Sequence, residues 1–232
     1  MKDLMKDYPR PQLVRQSWQN LNGAWEKNFP SSFRTINVPF SYETPASGIG
    51  DGSAHPVVWY RRTVELGLAR GRRVFVRFEG SDYETRLFVN GRPVGSHKGG
   101  YNRFSFDVTD FVRKGTNVLT VRVADASDPR QPRGKQRWIK DSFGCWYVQT
   151  TGIWKTVWLE ELPVRFIEGL KMTPDLDSSS LRLDVTIGGK DVPCLAVEAV
   201  ASYEGVVVGR LEIHAATDSV SLELPVHSTE VD

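Results

Sequence analysis

The sequence predicts an all-β chain built from two antiparallel sandwiches. Three observations carry this. Apolar and polar residues alternate in run after run, turn-forming residues separate the runs, and no amphipathic pattern of ten or more residues supports a helix. At 232 residues the chain is long enough for two modest domains, each burying a core of its own.

The first domain begins its clear strand pattern at Val57. "VVWYRRTVEL" (57–66), "RRVFVRFEG" (72–80), "ETRLFVN" (84–90), "NRFSFDV" (102–108), "NVLTVRVAD" (117–125) and "IWKTVWLEEL" (153–162) all alternate with period two. Within 74–79, Val74, Val76 and Phe78 share one face while Phe75, Arg77 and Glu79 share the other, so one face should be the more buried. Leu119, Val121 and Val123 likewise point one way. Asn90-Gly91 is a strong hairpin signal, and Ala69-Arg70-Gly71 and Lys114-Gly115 mark further turns. "VTDFVRKGTN" (108–117) predicts one helical turn, capped by Thr109 or Asp110 and ended at Lys114-Gly115. Short strands joined in this way point to a sandwich or jelly roll rather than to alternating β and α units. After Pro163, five more runs read as strands of an immunoglobulin-like sandwich, which normally takes about seven. Residues 163–232 therefore predict a partial sandwich with uncovered strand edges, inclined to self-associate into a homo-oligomer.

Residues 124–151 refuse a strand reading. Loops longer than about 12–15 residues are uncommon in compact domains and tend to carry function. This one contains Trp138, Phe143, Trp146 and Tyr147, too aromatic for disorder. Trp146 and Tyr147 could stack on the apolar face of a pyranose while loop polar groups bond its hydroxyls. Asp141 is the nearest loop carboxylate, and Lys135, Arg137 and Lys140 could meet an acidic sugar. Trp154 and Trp158, four apart, read as one strand face with Thr156, packed in the core or against a neighbouring domain. Gly99-Gly100 reads as a turn, with Tyr101 and Asn102 able to touch a ligand, whereas Asn90 and Gly91 serve only the hairpin.

Composition excludes several classes. A formal charge of +2, with 40% hydrophobic and 25% charged residues, gives no basic excess for nucleic acid. No apolar run matches a signal peptide or a membrane span, so the chain reads as cytoplasmic with no membrane partner. Cys145 and Cys194 lack CxxC spacing and read as free thiols, with no metal site. His55, His97, His214 and His227 are dispersed and receive no catalytic role, and no cofactor is called for.

"NLNGAWEKNF" (20–29), "INVPFSYE" (36–43), "WYRRTVEL" (59–66), the whole run 72–125, "QPRGKQ" (131–136) and "TTGIWKTVWLE" (150–160) together resemble the N-terminal sugar-binding domain of glycoside hydrolase family 2. The resemblance implies a galactose-binding-domain-like jelly roll over 1–162, a truncated immunoglobulin-like sandwich over 163–232, and a catalytic (β/α)8 barrel beyond them. It implies a non-catalytic portion that supports the missing barrel and shapes its pocket for a β-linked carbohydrate, with Trp146, Asp141, Trp138, Tyr147 and Arg137 as the sugar-contacting candidates. In family members that act on galactosides and glucuronides, an acidic residue commonly stands six before the motif glycine; here that position, counted back from Gly152, is Trp146. A retaining glycosidase needs two carboxyl groups about 5–5.5 Å apart, and the barrel that carries them takes about 250 residues, so this chain is not expected to hydrolyse glycosides by itself. Two other functions compete with this one: a free-standing carbohydrate-binding module and a structural interaction domain.

Overall fold

The computed structural model describes residues 7–29, 32–128, 130–189 and 195–227. The chain divides into two compact units, one built on residues 15–162 and the other on 163 onward together with the short segment 10–14.

The first unit contains β1 (Trp18–Asn20), β2 (Gly23–Phe29), β3 (Ser32–Val38), β4 (Val57–Leu66), β5 (Arg72–Phe78), β6 (Ser81–Asp82), β7 (Glu84–Val89), β8 (Arg92–Lys98), β9 (Phe104–Asp107), β10 (Gly115–Ala124), β11 (Gly152–Ile153) and β12 (Val157–Pro163). A six-stranded antiparallel sheet of order β3-β2-β4-β10-β7-β8 shares one core with a four-stranded sheet of order β1-β12-β5-β9. This is the jelly-roll sandwich. β10 lies inside the larger sheet, pairing along its whole length with β4, from Gly115 opposite Leu66 to Ala124 opposite Val57. Its alternation is complete: Asn117, Leu119, Val121 and Val123 are all fully buried.

The face of Val74, Val76 and Phe78, at 0–1% exposure, is the more buried one, as the alternation predicts, but the other face is covered as well. β5 is buried on both faces, Phe75 and Arg77 included, each at 7% exposure. The second face is covered by a buried ion pair, Arg77 Nε to Glu160 Oε2 at 2.7 Å, and by Trp158, whose indole N–H donates to Glu160 Oε1 at 2.6 Å. Tyr8 completes the cluster, its hydroxyl bonded to Glu160 and its ring edge-on to Trp18 and Trp158. Period two alone could not show this, because a charged residue with a buried partner reads as solvent-facing.

The turn at 109–112 forms, with Phe111 N–H and Val112 N–H both bonded to Val108 O. Its cap is Asp107, which accepts Thr109 N–H at 3.0 Å, while Thr109 Oγ1 accepts Val74 N–H. Asn90 and Gly91 take left-handed φ values of 52° and 79°, the geometry of a tight hairpin turn. Asn90 does more than turn: its side chain donates to Phe111 O and to Asn117 Oδ1 and accepts Val118 N–H, stitching the hairpin to β10.

In the second unit, β13 (Arg165–Asp175), β14 (Ser180–Gly189) and β17 (Ser219–Pro225) form one sheet, and β15 (Leu195–Tyr203) and β16 (Val206–Ala215) a second. These are the five strands read from the sequence. Their core is small and aliphatic, made of Leu183, Val185 and Ile187 from β14 with Val197, Ala199, Ala215, Leu222 and Leu224. Among the described residues the only helical segments are two 3-10 turns, Pro11–Leu13 and Pro45–Ser47, and no helix is long and apolar enough to cross a membrane. Cys145 is an exposed free thiol; Cys194 lies outside the described residues.

Candidate functional site

Residues 125–151 connect β10 to β11 without a strand of their own, and buried polar bonds hold them in place. Asp125 gathers both ends of the loop. Its Oδ1 accepts from Gln131 Nε2 at 2.7 Å and Arg133 Nη1 at 3.0 Å, and its Oδ2 accepts from Thr151 Oγ1 at 2.8 Å. Thr151 N–H donates in turn to Glu43 Oε1 at 3.0 Å. Burial pushes the Glu43 carboxyl up to about 7 against those hydrogen bonds, because the ion is poorly solvated there. Gln136 anchors the middle, donating to Asp82 Oδ2 at 2.6 Å and accepting Thr150 N–H at 2.8 Å. The loop's backbone adds only isolated bridges, Gln136 with Tyr147 and Phe143 with Trp146, so its shape depends largely on such side-chain bonds.

Above this stem the loop narrows to an aromatic tip. Phe143 and Trp146 exchange backbone hydrogen bonds around Gly144, whose φ of 50° closes the turn. The Trp138 ring stands edge-on to both, with centroids 5.2 Å from Phe143 and 4.7 Å from Trp146. Trp138 remains 42% exposed.

Beside the tip lies an open cavity of about 610 Å³, bounded by Gly52, Ser53 and Ala54 on one side and by Arg137, Trp138 and Asp141 on the other. Arg137 fixes the two sides together: Nη2 donates to Gly52 O at 2.6 Å and Nε to Gln149 Oε1 at 3.0 Å. Gln149 Nε2 donates to Gly52 O as well. An exposed indole beside a carboxylate and backbone polar groups has the make-up of a site for a hydroxylated ring.

The structure thus brings together four of the sequence-derived candidates, Arg137, Trp138, Lys140 and Asp141. Trp146 stands outside the cavity lining and backs the Trp138 ring. Tyr147, 60% exposed, lines a second cavity with Tyr101 and Trp154. Trp154 itself is a correction: it falls between β11 and β12, only half-buried, with its indole N–H donating to Gly100 O at 2.8 Å, and it does not share a strand face with the fully buried Trp158. Sequence reading missed Gly52–Ala54, Gln149, Gln136, Asp125 and Glu43. The one available signal was the presence of polar residues inside apolar runs, as at Glu43 in "VPFSYE". Among the described residues no cluster of three or more His, Cys, Asp or Glu side chains is arranged to hold a metal.

Comparison with known proteins agrees with this fold. Residues 8–163 match the family described as "Glycosyl hydrolases family 2, sugar binding domain". A putative beta-glucuronidase of Formosa agariphila is 28% identical over 195 residues, covering 78% of this chain and 23% of that protein. A beta-galactosidase of Thermoanaerobacter pseudethanolicus is 30% identical over 184 residues, 75% of this chain and 24% of that protein. The chain therefore spans about a quarter of the length of these curated relatives. Among solved structures, the beta-glucuronidase of Bifidobacterium dentium complexed with coumarin-3-O-glucuronide superposes with a TM-score of 0.67 at 22% identity, over 91% of this chain and 42% of that one. With its jelly roll matched from end to end, the chain belongs to glycosyl hydrolase family 2 through that family's sugar-binding domain.

Proposed function

We propose that this chain is the N-terminal, non-catalytic portion of a family 2 glycosidase acting on a β-linked sugar. In this reading the 125–151 loop forms one wall of the sugar pocket, and a barrel elsewhere in the longer protein supplies the paired carboxylates. The observation that carries it is the cavity shared by Gly52–Ala54 and Arg137–Asp141, with Trp138 offering a ring face and Asp141 a hydrogen-bond acceptor. The names of the relatives, beta-glucuronidase and beta-galactosidase, supply the substrate class. Asp141 is the sole carboxylate among the described residues lining the cavity, whereas retaining hydrolysis needs two held about 5–5.5 Å apart.

Two measurements test the reading. The purified chain is expected to release no nitrophenol from nitrophenyl β-galactoside or β-glucuronide, and turnover that co-purifies with it would overturn the non-catalytic assignment. In the longer protein carrying the barrel, Trp138→Ala or Asp141→Ala is expected to lower kcat/KM by roughly tenfold or more, about 1.4 kcal/mol, with the melting temperature nearly unchanged. Unchanged kcat/KM in both variants would remove the loop from the pocket.

A further inference from the structure

The core of the first unit claims only one face of its six-stranded sheet. On the outer face, strand register aligns Glu26, Arg61, Thr120 and Phe88 in one row across β2, β4, β10 and β7, and Trp59, Arg122 and Arg86 in the next. None of these residues belongs to the buried core. An antiparallel sheet that leaves one face to water normally makes that face polar. Here its middle is aromatic and cationic. The Trp59 and Phe88 ring centroids lie 5.8 Å apart, Arg122 Cζ stands 6.0 Å from the Trp59 ring centre, and Arg61 Cζ stands 4.7 Å from that of the exposed Phe33. Aromatic rings and arginine are the groups enriched where one protein surface meets another.

The charges on this face select its partner. Its ion pairs, Arg61 with Glu26 and Arg86 with Glu84, set both signs side by side, so it matches a surface of the same mixture better than a wholly acidic or basic one. A second copy is such a surface. We propose that the outer face of the large sheet joins two copies of this chain about a twofold axis that runs parallel to the strands, midway between β4 and β10. Such an axis lays β4 of one copy over β10 of the other and β2 over β7, so each contact is made twice. Trp59 then meets Arg122 of the other copy, and Glu26 approaches Arg86 of the other copy. The area suffices: six strands span about 24 Å and the ten-residue strands β4 and β10 about 33 Å, roughly the 800 Å² that each partner of a stable dimer buries. The 125–151 loop leaves from the end of β10 rather than from this face, so the contact and the sugar-pocket reading can each fail without the other.

The test is sedimentation velocity on the intact chain at roughly 100 μM, well above a micromolar Kd. A dimer is expected. Arg86→Glu and Glu26→Arg change exposed residues, so both variants should fold, which circular dichroism melting checks. Each alone should weaken dimerisation by roughly tenfold or more, because it sets like charges against each other across the axis. Mixed one to one, the two variants should restore the dimer, since every facing pair of positions 26 and 86 is then opposite in sign. Trp59→Ala should weaken it as well. A wild-type monomer at that concentration would overturn the proposal. So would a dimer that survives both charge reversals, which would move association elsewhere, or weakened variants that mixing does not rescue, which would remove the facing of Glu26 and Arg86.

Discussion

Trp158 and Trp138 stand twenty residues apart in sequence and do opposite jobs. Trp158 sits in β12 at 1% exposure, its indole nitrogen spent on Glu160 within the buried Arg77 ion-pair cluster. Trp138 sits in the loop at 42% exposure, touching mainly Phe143 and Trp146. The difference teaches that aromatic density is no measure of core. A strand delivers every second side chain into a sheet interface, whereas a loop ring is held only by whatever the loop itself provides.

The largest expected effect lies on the strand side. Trp158→Ala should destabilise the first unit by about 3–5 kcal/mol, since it opens a cavity and takes a hydrogen bond from a buried carboxylate. Urea denaturation checks this, and a loss below about 1 kcal/mol would put Trp158 on the loop's side of the comparison.

A smaller effect tests how the loop is tethered. Glu43 binds Thr151 N–H and titrates near 7 in the fold against an ordinary 4.5, so between those values the folded chain holds more protons than the unfolded one. Stability should therefore fall as pH rises from 4.5 through about 7, by up to about 3 kcal/mol. Glu43→Gln keeps the acceptor for Thr151 and should flatten that decline. An equally steep decline in the variant would assign the dependence elsewhere, Asp82 being the next group, pushed up by burial to about 6.

The smallest effect is at the tip. Trp138→Ala should cost no more than about 1 kcal/mol of stability, because an exposed ring makes few core contacts. A melting temperature lowered as far as by Trp158→Ala would erase the distinction between the two tryptophans.

The strands were legible because period-two burial and turn chemistry are local. β4 and the five strands of the second unit coincide with their sequence runs to within a few residues, and the Asn90-Gly91 hairpin forms as its dipeptide predicts. The loop, too, was legible as a stretch of aromatics without alternation, and within it Arg137, Trp138 and Asp141 were singled out before they were seen around one cavity. Trp154 was misplaced because the spacing to Trp158 fits a strand, while residues 154–156 break the run into β11 and β12, which belong to different sheets.

By itself, then, the sequence determined the class of fold, the strands β4, β5, β7, β9, β10 and β12 with the five of the second unit, and the segment that carries the candidate site, all of which follow from residue type and spacing, while β1 to β3 and β8 went unread. Only the tertiary structure decided which polar groups meet. Asp125 with Thr151, Gln136 with Asp82, Arg137 with Gly52 and Arg77 with Glu160 are separated by 26 to 85 positions. Such pairs leave no period in the sequence. A buried charge is tolerable only opposite its partner, and the partner is brought there by the folding of the sheets.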